Sequence, residues 1–166
     1  GERIEGTLDG VKALAGPDGL EVAQTIWADL NAKPDMKGKS PADPSNPEQV
    51  ARGRAVYAQH CAACHGARLE GQPNWQERLP SGRMPAPPHD ASGHTWHHPD
   101  SVLFGITKRG LVPGKYAPPN YESDMPAFDG KLKDEEIWAV LAYIKNAWPD
   151  RIRAVQVEIT RDAARR

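Results

Sequence analysis

The sequence predicts an all-α domain with long proline-rich loops and an N-terminal extension. Residues 47–64 and 134–148 repeat apolar side chains at helical spacing. The chain contains 16 prolines among 166 residues, and most of them lie between these segments. This proline content is roughly twice the usual share of about 5%. The length predicts one compact domain with a short extension, because single domains average roughly 150 residues.

The chain divides at two changes of composition. Residues 1–46 form the extension, in which we expect one amphipathic helix over residues 19–32 and a polar linker over 37–47. We expect this helix to pack on its own domain, and docking on a partner is the alternative. Residues 47–149 form the main domain, and residues 150–166 form a basic tail. The tail favours a short helix, although Val155, Val157 and Ile159 also fit the alternation of a strand.

The first helix of the main domain has a clear start signal. Asn46 is the expected N-cap, Pro47 takes the first helical position, and Gln49 is expected to reach back to the cap. A small residue within this helix allows a second helix to approach closely. One stripe of the helix is formed by Val50, Gly53, Tyr57, Cys61 and Cys64.

Two further helices are separated by long loops. Residues 66–99 lack a sustained period, and a short helix opens at Asp100 and ends at Gly110. A second loop covers residues 111–130. The last strong helix starts at Asp134, which is the expected cap, and ends before Pro149.

Composition excludes several classes of function. Lys and Arg total 21 against 22 for Asp and Glu. The chain therefore has no net positive charge that would favour binding to nucleic acid or to anionic lipid. The longest apolar run has eight residues, 137–144, whereas a transmembrane segment needs about 20. Residues 1–11 lack the features of a secretory signal, which indicates either a processed or a cytosolic chain.

Both cysteines fall within one motif, Cys61-Ala62-Ala63-Cys64-His65. A Cys-x-x-Cys-His run is typical of covalent haem c attachment. Residues three and four apart share a helix face, so two thiols can reach one porphyrin while His65 meets the iron. A thioredoxin-like redox site would need a nearby βαβ pattern, and a zinc site would need better-placed ligands than His60 and His65.

The second axial ligand is less evident from the residues alone. The methionines are Met36, Met84 and Met125, and both Met84 and Met125 precede a proline that favours extended backbone. Histidine is the other ligand type available, and the remaining histidines are His60, His89, His94, His97 and His98.

Residues 53–148 resemble a class I c-type cytochrome: a helix with Gly53 and Tyr57 leads into the Cys-x-x-Cys-His motif, then a middle helix, a Met-Pro loop and a closing amphipathic helix. The resemblance implies cytochrome c-like helices around one covalent haem c, with His65 and Met125 as iron ligands. It implies that the first and last helices cross, so that Tyr57 forms part of the pocket wall by packing. It also implies an exported, periplasmic electron carrier that shuttles single electrons between redox partner proteins.

The first long loop departs from a minimal member of that family. Its aromatic cluster comprises His89, His94, Trp96, His97 and His98. A second metal is one interpretation, but a single loop does not establish an organised ligand set. We favour a place at the haem edge, where Trp96 donates a hydrogen bond to a buried propionate.

Two other functions remain open. One is a haem enzyme, or a sensor of peroxide or gas, in which Met125 is displaced from the iron. The other is a cytochrome subunit or domain of a larger oxidoreductase, with residues 1–47 as its docking arm. Docking of the chain to a membrane is the alternative to docking on such a complex.

Overall fold

In the computed structural model, which describes residues 40–166, the chain is all-α, as predicted. The expected helix over residues 19–32, and Met36 with it, lie outside the described residues. The only β feature in residues 40–166 is an isolated bridge between Pro113 and Ala117. No helix in this range has the length and apolarity that crossing a membrane requires. The helices are α1 Pro47–His60, α2 Ala62–His65, α3 Asp100–Arg109, α4 Asp134–Asn146 and α5 Asp150–Ala164, and a 3₁₀ turn spans Thr95–His97.

Helix α1 begins as its sequence predicts. The Asn46 side chain accepts a hydrogen bond from the Gln49 N–H at 3.1 Å, and Pro47 takes the first position. The predicted return of the Gln49 side chain to the cap is wrong. Its Oε1 instead accepts from the Asp43 N–H at 2.8 Å, because the incoming chain folds back beside this turn. Gln49 therefore fastens the preceding segment to α1.

Helices α1 and α4 cross in close contact at Gly53. A Cβ at this position would lie 1.9 Å from the Ala139 carbonyl oxygen and 2.9 Å from the Tyr143 Cβ. One helical turn further along, the rings of Tyr57 and Tyr143 pack with centroids 5.4 Å apart. The predicted crossing of the first and last helices of the main domain is therefore confirmed.

The later helices show one confirmed boundary and one correction. Helix α3 ends at Arg109 and is capped by Gly110, whose positive φ of 78° is a conformation that glycine adopts more readily than other residues. The expectation that Asp134 caps α4 is wrong, since Lys133 is the cap residue and Asp134 is the first helical residue. The Asp134 carboxylate is 2.8 Å from Lys108 Nζ, and Glu136 accepts from the Lys133 N–H.

The C-terminal residues form a helix of 15 residues. Helix α5 is longer than the short helix expected, and the strand alternative for this segment is wrong. One side of this helix packs against the Thr95–His97 turn. Ion pairs at i, i+3 spacing, such as Arg161 with Glu158, occupy the exposed side.

A buried polar network joins α3, α4 and α5. Asp100 and Lys145 are 2% and 3% exposed, and their carboxylate and ammonium groups are 2.8 Å apart. Lys145 also donates to the Ala42 carbonyl at 3.0 Å. Gln156, fully buried, donates to Asp100 at 2.7 Å and to the His98 carbonyl at 3.1 Å. The network thus connects segments that are distant in sequence.

Candidate functional site

The Cys-x-x-Cys-His motif forms one helical turn directly after α1. The Cys61 N–H donates to the Tyr57 carbonyl at 2.9 Å, and the His65 N–H donates to the Cys61 carbonyl at 2.9 Å. Both cysteines are free thiols. Burial, together with the neighbouring Cys64, raises the pKa of the Cys61 thiol to about 11. The turn holds two thiols and one imidazole within five residues, as the sequence predicts.

The imidazole of His65 is buried and oriented by a backbone carbonyl. Its side chain is 7% exposed, and its Nδ1 lies 2.8 Å from the Pro87 carbonyl oxygen. Because a carbonyl only accepts, Nδ1 carries the proton and donates, which leaves the Nε2 lone pair for a metal. Burial lowers the pKa of His65, an effect that the hydrogen bond to Pro87 partly opposes. The ring is therefore suited to act as a neutral nitrogen ligand.

Pro87 is a functional residue that sequence reasoning missed. The contribution of Pro87 is a backbone carbonyl, which every residue type carries, so no side-chain pattern indicates it. The proline-rich composition predicted a loop but not which carbonyl would face His65. Only the fold of residues 66–99 brings Pro87 next to His65, 22 positions earlier in the chain.

Tyr57 is part of the core, as its packing role requires. Its side chain is 1% exposed, and its hydroxyl donates to the Gly66 carbonyl at 2.9 Å. Burial is the main cause that raises the pKa of the Tyr57 hydroxyl. Tyr57 therefore holds the chain immediately after His65, whereas contact with a cofactor stays a prediction.

Met125 lies half-buried against the hydrophobic core, in the loop before α4. Its N–H donates to Ser123 Oγ at 3.1 Å. The segment that contains Met84 is fastened to the same loop, because Arg83 pairs with Asp124 and lies 3.6 Å from the Glu122 carboxylate. The structure thus brings both Met-Pro segments together, and the choice of Met125 as ligand remains a prediction.

The aromatic cluster of the first loop is arranged in ring pairs. His94 stacks on Trp75 with centroids 5.5 Å apart and meets the edge of His98 at 5.6 Å. Trp96 is half-buried, and its indole N–H donates to the Ala91 carbonyl at 3.3 Å. Within residues 40–166, no group of three or more His, Cys, Asp or Glu side chains is arranged to hold a metal ion. The described residues give no support to a second metal.

Comparison with known families decides the class of this site. The Cytochrome c family profile matches residues 50–148, more than half of the chain. The chain belongs to the cytochrome c family. This cytochrome is also 29% identical over 105 residues to the gluconate 2-dehydrogenase cytochrome c subunit of Pantoea cypripedii. That alignment covers 61% of this chain but only 21% of the relative. No solved structure matches the chain significantly.

The donor set fits the cofactor of the family. Cytochromes c carry a covalent haem c with iron, and attachment requires two free thiols beside a histidine with an available ring nitrogen. Cys61 and Cys64 are free thiols, and the Nε2 of His65 is available because Nδ1 is engaged. This cytochrome is therefore an electron-transfer protein or the cytochrome part of an oxidoreductase.

Proposed function

We propose that this cytochrome shuttles single electrons between redox partner proteins through one haem c. Cys61 and Cys64 form the thioether anchors, His65 is the proximal ligand and Met125 the distal ligand. The observation that carries the proposal is the orientation of His65, whose Nδ1 is fixed at 2.8 Å from the Pro87 carbonyl. This contact fixes the tautomer that ligates iron, so the ring needs no rearrangement when the metal changes oxidation state.

Each residue of the site has a separate task. The haem iron, when bound, supplies the one-electron change of oxidation state. The sulfurs of Cys61 and Cys64 would hold the cofactor covalently, and the Nε2 of His65 would bind its iron. The thioether of Met125 would bind the iron as the second protein ligand, and a thioether ligand raises the reduction potential. Buried residues around the turn, among them Tyr57 and Phe128, exclude water and lower the local dielectric constant.

We further propose that one redox partner is a dehydrogenase and that the cytochrome works in the periplasm after export, either as a free shuttle or as a subunit of that dehydrogenase. The support is the likeness to a cytochrome c subunit of gluconate 2-dehydrogenase, of which this chain spans about a fifth. Purification from the native source distinguishes the two arrangements. A dehydrogenase that co-elutes stoichiometrically supports the subunit, and a cytochrome that elutes alone supports the free shuttle.

Covalent attachment is the property that tests the proposed function. The mass of the purified protein should exceed that of the polypeptide by one haem, and acid-acetone extraction should leave the colour in the protein pellet. The Cys61→Ala, Cys64→Ala double variant should lose its colour on extraction. His60→Ala, an exposed neighbour of the motif, should keep its haem. A wild-type polypeptide without the added mass would contradict the proposal.

Replacing Met125 with alanine should remove the distal ligand. We expect the oxidised wild-type protein to be low-spin and to show the sulfur-to-iron charge-transfer band, and the Met125→Ala variant to lose this band and to bind CO readily when reduced. Met84→Ala is the matched control, because it also precedes a proline in the adjoining segment and should keep the band. A wild-type protein that is high-spin and binds CO readily would instead favour the gas or peroxide site.

Replacing Trp96 with phenylalanine should shift the reduction potential of the haem. We propose that the indole N–H, which lies 3.3 Å from the Ala91 carbonyl, is weakly held there and donates to a haem propionate instead. Phenylalanine keeps an aromatic ring at this position and removes the N–H donor. Protein-film voltammetry measures the potential, and a potential and spectrum identical to the wild type would exclude this role for Trp96.

A further inference from the structure

The imidazole of His89 stacks on the imidazole of His65. The ring centroids are 4.0 Å apart and the planes are inclined by 24°. His89 lies two residues after Pro87, whose carbonyl accepts the hydrogen bond of the same His65 ring. One short segment therefore touches the ring of His65 both at its edge and on its face.

His89 is itself held at several points. Its Nδ1 lies 2.9 Å from Thr95 Oγ1, and that hydroxyl lies 3.4 Å from the Pro88 carbonyl. Since the Thr95 hydroxyl donates to the carbonyl, its oxygen accepts from the Nδ1–H of His89. The indole N–H of Trp148 donates to the His89 carbonyl at 2.8 Å, and the rings of Tyr57 and His89 form a T-shaped pair with centroids 6.3 Å apart. Both the backbone and the ring of His89 are thus fixed.

The two contacts on His65 restrict different motions. A hydrogen bond at Nδ1 fixes one edge of the ring but leaves the ring free to swing about that contact. A flat, immobile surface against the face of the ring removes this freedom, because tilting would bring the two rings into collision.

We propose that His89 is a positioning residue that fixes the rotation of the His65 imidazole about its bond to the haem iron. This inference rests on the proposed function, in which His65 is the proximal ligand. The plane of an axial imidazole determines how unpaired spin is distributed over the porphyrin of a ferric haem. His89 therefore sets an electronic property of the cofactor through its contact with the proximal ligand.

The cyanide complex of the ferric protein isolates this effect. Cyanide replaces the distal ligand and is symmetric about its bond to iron, so the ¹H NMR shifts of the four haem methyl groups then report the plane of His65 alone. In His89→Leu, which keeps a similar volume without a flat face, we expect the order and spread of these shifts to change. In His89→Phe, which restores a flat ring, we expect the wild-type order. Gln76→Leu, at an exposed position of the same loop, is the control and should leave the shifts unchanged.

A second variant keeps the test decisive if the phenylalanine ring is too large for its site. Thr95→Val removes the hydroxyl that orients His89 and should move the methyl shifts in the same direction as His89→Leu, by a smaller amount. Wild-type shifts in both His89→Leu and Thr95→Val would overturn the proposal and leave His89 as a packing residue. A wild-type protein without covalent haem would contradict the proposed function instead, and the mass measurement detects that failure separately.

Discussion

Asp100→Ala will destabilise the folded protein by about 3–5 kcal/mol, the usual effect of removing one partner of a buried ion pair. The Lys145 ammonium is 3% exposed, and after the change its remaining partner among the described contacts is the Ala42 carbonyl. Gln156 loses the acceptor that lies 2.7 Å from its amide nitrogen. Denaturant unfolding of the holoprotein, followed by far-UV circular dichroism, measures the loss as a lower midpoint.

A double variant separates the charge from the packing. Asp100→Ala combined with Lys145→Met contains no buried unpaired ammonium, so it should be more stable than Asp100→Ala alone. Glu158→Ala is the control, since its ion pair with Arg161 is exposed and should contribute about 0.2–1 kcal/mol. Equal losses of stability in Asp100→Ala and Glu158→Ala would show that the buried ion pair contributes no more to the stability of the fold than the exposed one.

Gly53→Ala will also destabilise the protein, by about 2–3 kcal/mol or more, although alanine is the better helix former. In an isolated helix the change would be favourable by about 1 kcal/mol. Here the added methyl group would lie 1.9 Å from the Ala139 carbonyl oxygen and 2.5 Å from its carbon. Both atoms belong to the backbone, so no side chain can rotate away and the two helices must separate.

Denaturant unfolding of Gly53→Ala tests this prediction, with a variant that enlarges an exposed side chain of the same helix as the control. Ala58→Val enlarges a side chain on the exposed side of the same helix and should change stability by about 0.5 kcal/mol or less. A Gly53→Ala protein as stable as the wild type would mean that α1 and α4 do not approach as closely as described. A lower midpoint with an unchanged denaturant slope is the expected result.

Local signals in the sequence were sufficient for much of the fold. Three positions show this: the N-cap at Asn46, the small residue at Gly53 and the terminal glycine at Gly110. Each affects the backbone within one or two turns of itself, so the residue type and its position in the sequence were enough to predict its role. The helical turn of the haem motif was predictable for the same reason. The predicted N-cap of α4 was wrong by one residue, Asp134 instead of Lys133. The two residues are adjacent and both polar, so the sequence does not distinguish them, and the exact start of a helix depends on the cap geometry.

Contacts between distant segments were not predictable. Lys145 sits on an amphipathic helix, and lysine is almost never fully buried without a partner. Its partner Asp100 lies 45 residues earlier. The stacking of His89 on His65 likewise depends on the path of a loop without regular secondary structure. The sequence indicated that this loop mattered through its density of aromatic rings, but no spacing rule assigns a ring to a neighbour there.

The network around Asp100 also bears on where the protein can be shortened. The family match ends at residue 148 and begins at residue 50, yet Gln156 and the Ala42 carbonyl lie outside those limits and complete the hydrogen bonds of Asp100 and Lys145. A gene fragment trimmed to the family boundaries would encode the haem motif and the methionine loop but would remove two of the groups that hydrogen-bond to this buried charge pair. The segments on either side of the matched region are therefore an integral part of the folding unit.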